Sequence, residues 1–188
     1  MRIGLYFGSF NPIHIGHLII ASYVAEHSKV DKVWFVVSPQ NPLKLSNTLL
    51  NEYDRLHLVT LAIEDDDRFR VSDIEFKLPK PSYTIDTLTH LEEKYPQHDF
   101  SIIMGSDSYC NIEKWKNYEL LVKKYPILVY KRPKYDIVEN AYNATMLEAP
   151  IIDISSTLIR KLIKEKKNFK YLLSDSVYKE LVNNQYYK

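Results

Sequence analysis

The chain has 188 residues, 45% hydrophobic and 26% charged, a balance that suits one folded domain and excludes a disordered chain. A formal net charge of +1 supplies no broad positive field and so argues against a nucleic-acid partner. A lone cysteine, Cys110, excludes an internal disulfide and suits the cytoplasm, and no apolar run approaches the roughly 18 residues of a membrane span.

In chain order, short and mostly continuous apolar runs predict strands at 3–7 (IGLYF), 32–37 (KVWFVV), 100–104 (FSIIM), 126–130 (PILVY) and 150–153 (PIID). Continuous rather than alternating runs suit strands buried on both faces. Between them, helices are predicted over 17–27, about 51–65 with Leu56, Val59 and Ile63 on one face, and 84–95 with Leu88, Leu91 and Tyr95. Strand and helix therefore alternate, the pattern of an open, mainly parallel α/β sheet with helices on both faces. Two further stretches, 154–168 and 174–185, read as helices opened by serine caps and predict a small helical extension. The basic residues gathered there read as solvated helix faces. No repeat or linker marks a boundary, so residues 1–188 are expected to form one domain.

Open α/β sheets bind ligands beyond the carboxyl ends of their strands. GSFNPIHIGH (8–17), SPQNPLK (38–44) and GSD (105–107) each begin where a predicted strand ends, so three polar loops should converge on one edge. In the first, Gly8 offers close backbone approach. Helix 17–27 begins near Gly16, and its free N–H groups and positive dipole end suit a phosphate. His14 and His17 flank that start and can donate hydrogen bonds to phosphate oxygens whether neutral or charged. Histidines that merely cap or pack the helix are the bland alternative. As a metal site the pair is incomplete, since no Asp, Glu or Cys follows at helical spacing; GXXXXGK[ST] and GXGXXG are both absent.

HIGH at 14–17, after a strand and a GSFNP turn, resembles the signature of the HIGH-motif nucleotidyltransferase superfamily. SPQNPLK, YDRLHLV (53–59), SYTIDTL (82–88), GSDSYCNIEKW (105–115), KRP (131–133) and ISSTLIR (154–160) are similar, in order and spacing, to the bacterial nicotinate-nucleotide adenylyltransferases. Ser9 and Asn11 depart from the family's usual GGXFDP; Asn11 keeps hydrogen-bonding capacity without a carboxylate. The resemblance implies a Rossmann-like sheet and adenylyl transfer from ATP, with Mg²⁺ carried by the nucleotide, to nicotinate mononucleotide in NAD biosynthesis. It implies catalytic roles for His14, His17 and Arg160 at the triphosphate. ATP would lie on Gly8, Ser9, Phe10, Gly105, Asp107, Ile154, Ser155 and Ser156, with Asp107 at the ribose.

For the mononucleotide the resemblance implies Lys44, Arg55 and Arg132 near its phosphate, Trp115 stacked on the pyridine ring, and the helix start at Ser82, Tyr83 and Thr84 receiving the nicotinate carboxylate. A resident metal site is not expected. Each residue also has a structural alternative: surface cations for Lys44, Arg55 and Arg160, a core tryptophan, a helix N-cap for Asp107. Alternative functions are phosphopantetheine adenylylation, for which the first histidine of the motif is commonly threonine, and nucleotide sensing without turnover. An aminoacyl-tRNA synthetase is disfavoured because no KMSKS-like stretch accompanies HIGH. The string leaves a homodimer open.

Overall fold

A computed structural model describes residues 1–40, 49–133, 135 and 142–188. Six strands form one sheet: β1 (Arg2–Gly8), β2 (Lys32–Val37), β3 (Phe69–Ser72), β4 (Asp99–Gly105), β5 (Ile127–Tyr130) and β6 (Ala144–Leu147). Their order is β3-β2-β1-β4-β5-β6, and every neighbouring pair is parallel, with Leu5 of β1 opposite Trp34 of β2 and Ile102 of β4.

Side chains alternate across a strand, so a continuous apolar run feeds two cores at once. In β2, Val33, Phe35 and Val37 enter one core, while Trp34 and Val36 enter the other. Helices α1 (Ile15–His27), α2 (Glu52–Ile63), α6 (Ser156–Lys164) and α7 (Asp175–Asn183) cover the first face through Ile20, Val24, Leu58, Val59, Ile159 and Leu181. Helices α3 (Thr84–Lys94), α4 (Ser106–Tyr109) and α5 (Tyr118–Lys124) cover the second through Leu88, Leu91, Tyr109 and Leu121. The result is the expected Rossmann-like α/β/α stack, with α6 and α7 as the helical extension, capped in α6 by Ser155 Oγ accepting from the Leu158 N–H at 3.2 Å.

Two strands differ from expectation, and the short helices α4 and α5 were not anticipated. Residues 150–153 are not a strand; β6 lies a few residues earlier, at Ala144–Leu147, and takes the free edge of β5. Pro150 has no N–H to give a ladder, which demotes its segment, and Ile151 is exposed. The edge strand β3 has only four residues and a half-buried pattern, too short and mixed to stand out as an apolar run.

Candidate active site

From β1 the chain runs outward through β2 to β3, then returns to β4 and proceeds outward to β6 on the other side. Loops beyond β1 and β4 thus part in opposite directions and leave a crevice at this switch point. A cleft of about 670 Å³ occupies it, a size typical of small-molecule sites.

One wall is the loop from Gly8 to His14. A Cβ on Gly8 would meet the Phe10 ring at 2.9 Å, so this glycine is needed first for the ring packed against it. Phe10 itself adopts a left-handed φ of 45° and is buried. His14 is the N-cap of α1 and His17 its N3 residue, forming a loose capping box. Its well-formed half is the His14 N–H donating to His17 Nδ1 at 3.2 Å. With Nδ1 accepting, a neutral His17 keeps its proton on Nε2 and presents that N–H as a donor. The two imidazoles stack with centroids 3.7 Å apart.

His14 is 4% exposed. Burial, seconded by the nearby Arg132 charge, pulls its pKa down to about 3, so it is neutral at pH 7. Its Nδ1 is buried and has no hydrogen-bond partner among the described residues, an arrangement that an arriving ligand or water can complete.

Helix α6 is bolted to this wall. Ser156 Oγ donates to the Pro12 carbonyl at 2.8 Å, and Arg160 donates through Nη1 to the Asn11 carbonyl at 2.6 Å and through Nη2 to Thr157 Oγ1 at 3.2 Å. The Ser155 and Ser156 hydroxyls therefore serve the cap and the loop, while Arg160 reaches the cleft already oriented.

The opposite wall comes from β4, β5 and the start of α3. A Cβ on Gly105 would run into the Asp107 carboxylate, so glycine here lets that side chain fold back over the strand end. The N-cap of α4 is Gly105, which leaves the Asp107 carboxylate outside that role. Arg132 Nε lies 3.9 Å from Asp107 Oδ1, and its Nη2 donates to the Tyr130 hydroxyl at 3.1 Å. Ser82, Tyr83, Thr84 and Trp115 line the cleft beside them. Ser82 Oγ donates to Glu75 at 2.8 Å and Thr87 Oγ1 donates to the same carboxylate at 2.9 Å. Burial raises the Glu75 pKa, against the hydroxyl donors that lower it.

Of the residues expected at the site, Gly8, Ser9, Phe10, His14, His17, Ser82, Tyr83, Thr84, Gly105, Asp107, Trp115, Arg132, Ser155, Ser156 and Arg160 all border this one cleft. Ile154 instead lines a small adjoining cavity with Gly16 and Ile152. Lys44 falls outside the described residues. Arg55 departs most clearly: it is 0% exposed and donates to four backbone carbonyls, those of Leu50, Ser9, Ser38 and Pro39. Its fork is turned to main-chain oxygens and holds the ends of the loops after β1 and β2, and Arg55 is not among the residues that line the cleft. Residues not anticipated are Glu75, which anchors the far wall, and the Tyr6–Tyr130 hydroxyl pair at 3.1 Å. Both tyrosines lie in predicted strands next to motif residues, a signal that was there to be used; Glu75 lies where no element was expected. Among the described residues no group of three or more His, Cys, Asp or Glu is placed to hold a metal ion, and no helix is long and apolar enough to cross a membrane.

A nucleotide-handling cleft at the switch point of a parallel sheet defines the class, and the cytidylyltransferase-like family model matches residues 5–162. A probable nicotinate-nucleotide adenylyltransferase of Flavobacterium psychrophilum is 52% identical over the full length of both chains. One so named from Cytophaga hutchinsonii is 49% identical over all of this chain and 98% of its own. The fold superposes on that of Plasmodium falciparum nicotinic acid mononucleotide adenylyltransferase complexed with NaAD with a TM-score of 0.85 at 21% identity, covering 99% of this chain and 97% of that one. The chain belongs to the nicotinate-nucleotide adenylyltransferase family.

Proposed function

We propose that this chain transfers the adenylyl group of ATP to nicotinate mononucleotide, giving nicotinate adenine dinucleotide and pyrophosphate. The observation that carries the reading is the union, in one cleft, of the stacked His14–His17 pair and loop-anchored Arg160 on one wall with Ser82–Thr84 and Trp115 on the other.

The phosphate of the mononucleotide attacks the α-phosphorus of ATP. A P–O bond forms there and the α–β bridging P–O bond breaks, so pyrophosphate leaves with its electron pair. No protein nucleophile is needed, and catalysis reduces to alignment and to stabilising charge on phosphate oxygens. The His17 Nε2–H and the Arg160 guanidinium serve that charge on the α1 side. His14 adds a neutral donor. Arg132 closes the cradle from β5, and Asp107 accepts from ribose hydroxyls. Across the cleft, the α3 start offers main-chain N–H groups to the nicotinate carboxylate, and Trp115 offers a flat face to the ring.

Mg²⁺ arrives with the triphosphate, whose charge it reduces when bound. The donor set fits such a complex, because imidazole, guanidinium and amide groups address phosphate oxygens and leave the cation to the nucleotide. We place the enzyme in the cytoplasm, acting as one catalytic unit over residues 1–188 without nucleic acid, with a homodimer compatible with this reading.

Pyrophosphate release should be assayed with ATP, Mg²⁺ and, in parallel, nicotinate mononucleotide, nicotinamide mononucleotide and 4′-phosphopantetheine. The first should be the preferred acceptor. Turnover confined to phosphopantetheine, or ATP binding with no turnover on any acceptor, would overturn the proposal.

A further inference from the structure

Beyond α7 the chain bends back toward the first loop, with left-handed φ values of 55° at Gln185 and 65° at Tyr187. Such conformations are unfavourable for non-glycine residues, so something must hold them. Tyr187 packs against the α1-side core, and its hydroxyl donates to Asn11 Oδ1 at 2.7 Å. The Leu50 N–H donates to the same oxygen at 3.1 Å. Asn11 is buried, and its main-chain carbonyl is the acceptor that orients Arg160.

The side-chain oxygen of Asn11 is thus pinned from one direction and its carbonyl oxygen grips the guanidinium in another. We propose that Tyr187 is a positioning residue for Arg160, acting through Asn11 to hold the guanidinium at the α-phosphate side of the cleft. Burial raises the Tyr187 pKa, the Arg160 and Arg55 charges opposing it only in part, so its hydroxyl remains a donor across the physiological range. The chemistry also explains how asparagine serves at position 11: the amide oxygen accepts both donors without putting a second charge beside Arg160. This inference rests on Arg160 being part of the phosphate cradle.

Tyr187→Phe keeps the ring and removes the hydroxyl. It should leave the melting temperature within a few degrees of wild type while kcat falls on the order of tenfold, the size of effect a small misplacement of a catalytic group produces. KM for the mononucleotide should hold. A purely structural staple would not tie the loss to Arg160, so the deciding comparison is Tyr187→Phe made in Arg160→Ala. There it should cost nothing further, in kcat or in the Kd for ATP measured by calorimetry. Equal losses in the two backgrounds, or a Tyr187→Phe enzyme with wild-type kcat and ATP affinity, would overturn the assignment. Failure of the wild-type chain to release pyrophosphate would sink the proposed reaction instead, and the ATP titrations would still decide the Tyr187–Arg160 coupling.

Discussion

The two walls of the cleft are built to different standards. On the α1 side, the loop from Gly8 to His14 is tied down at several points: buried Arg55 on the Ser9 carbonyl, Arg160 on the Asn11 carbonyl, Ser156 on the Pro12 carbonyl, and buried Asn11 itself held by Leu50 and Tyr187. Across the cleft, the start of α3 hangs on one buried carboxylate, Glu75, and on surface contacts such as the Lys116–Asp86 ion pair at 2.8 Å and Lys116 over the Tyr83 ring. Oriented donors stabilise developing charge only if they need not reorganise during the reaction. The wall assigned to the triphosphate is the one so fixed, while the wall assigned to the acceptor has room to adjust around it.

The contrast can be broken most severely at Arg55. Arg55→Ala removes the donor that four main-chain carbonyls share, and each buried acceptor left without its charged partner costs roughly 1–3 kcal/mol; thermal melts should show the largest drop of any single substitution around the cleft. A loss no bigger than that of a surface arginine would mean that the loops are held by something else.

Glu75 comes next and probes the softer wall. Glu75→Gln retains one acceptor oxygen for the Ser82 and Thr87 hydroxyls, whereas Glu75→Ala takes away the acceptor of Ser82, at roughly 1–3 kcal/mol of desolvation, and leaves Thr87 only the Tyr83 carbonyl. The alanine variant should raise KM for the mononucleotide much more than KM for ATP, and glutamine should restore most of it. Equal changes in both constants would erase the distinction between the walls.

His14 gives the α1 wall a pH signature. Its folded pKa of about 3 lies well below the free value of about 6.5, so between these limits the unfolded chain binds a proton that the folded chain refuses. Stability should therefore fall as pH drops from 6.5 toward 3, by up to about 1.4 kcal/mol per pH unit from this group. Denaturant melts of wild type and His14→Gln should diverge in slope over that window, and parallel slopes would contradict the burial assigned to His14. The smallest effect belongs to Lys116→Ala, whose exposed ion pair is worth less than about 1 kcal/mol; a larger shift in a melt would make that wall stiffer than described.

Much of this architecture was readable from residue patterns because parallel strands buried on both faces advertise themselves as apolar runs. β1, β2, β4 and β5 stood out for that reason, and the three polar loops beyond them named the cleft. The short edge strands did not, since β3 and β6 each have one side open and mix partly buried with exposed positions, whereas β5, equally short, is buried throughout. Arg55 and Tyr187 mark a different boundary. A sequence shows what a side chain can donate, not what it faces: the fork that suits a phosphate suits a cluster of carbonyls equally well, and the contact between Tyr187 and Asn11 spans 176 positions with no local spacing to betray it.

The central claim is that His17, held by the His14 amide and presenting its Nε2–H, stabilises charge on the triphosphate in the transition state. Single-turnover pyrophosphate release by His17→Ala, with its melting curve recorded alongside, tests this most directly. A folded enzyme slowed by at least about a hundredfold, the scale of losing one preorganised donor, is the predicted result. A folded variant that releases pyrophosphate at nearly the wild-type rate would contradict it.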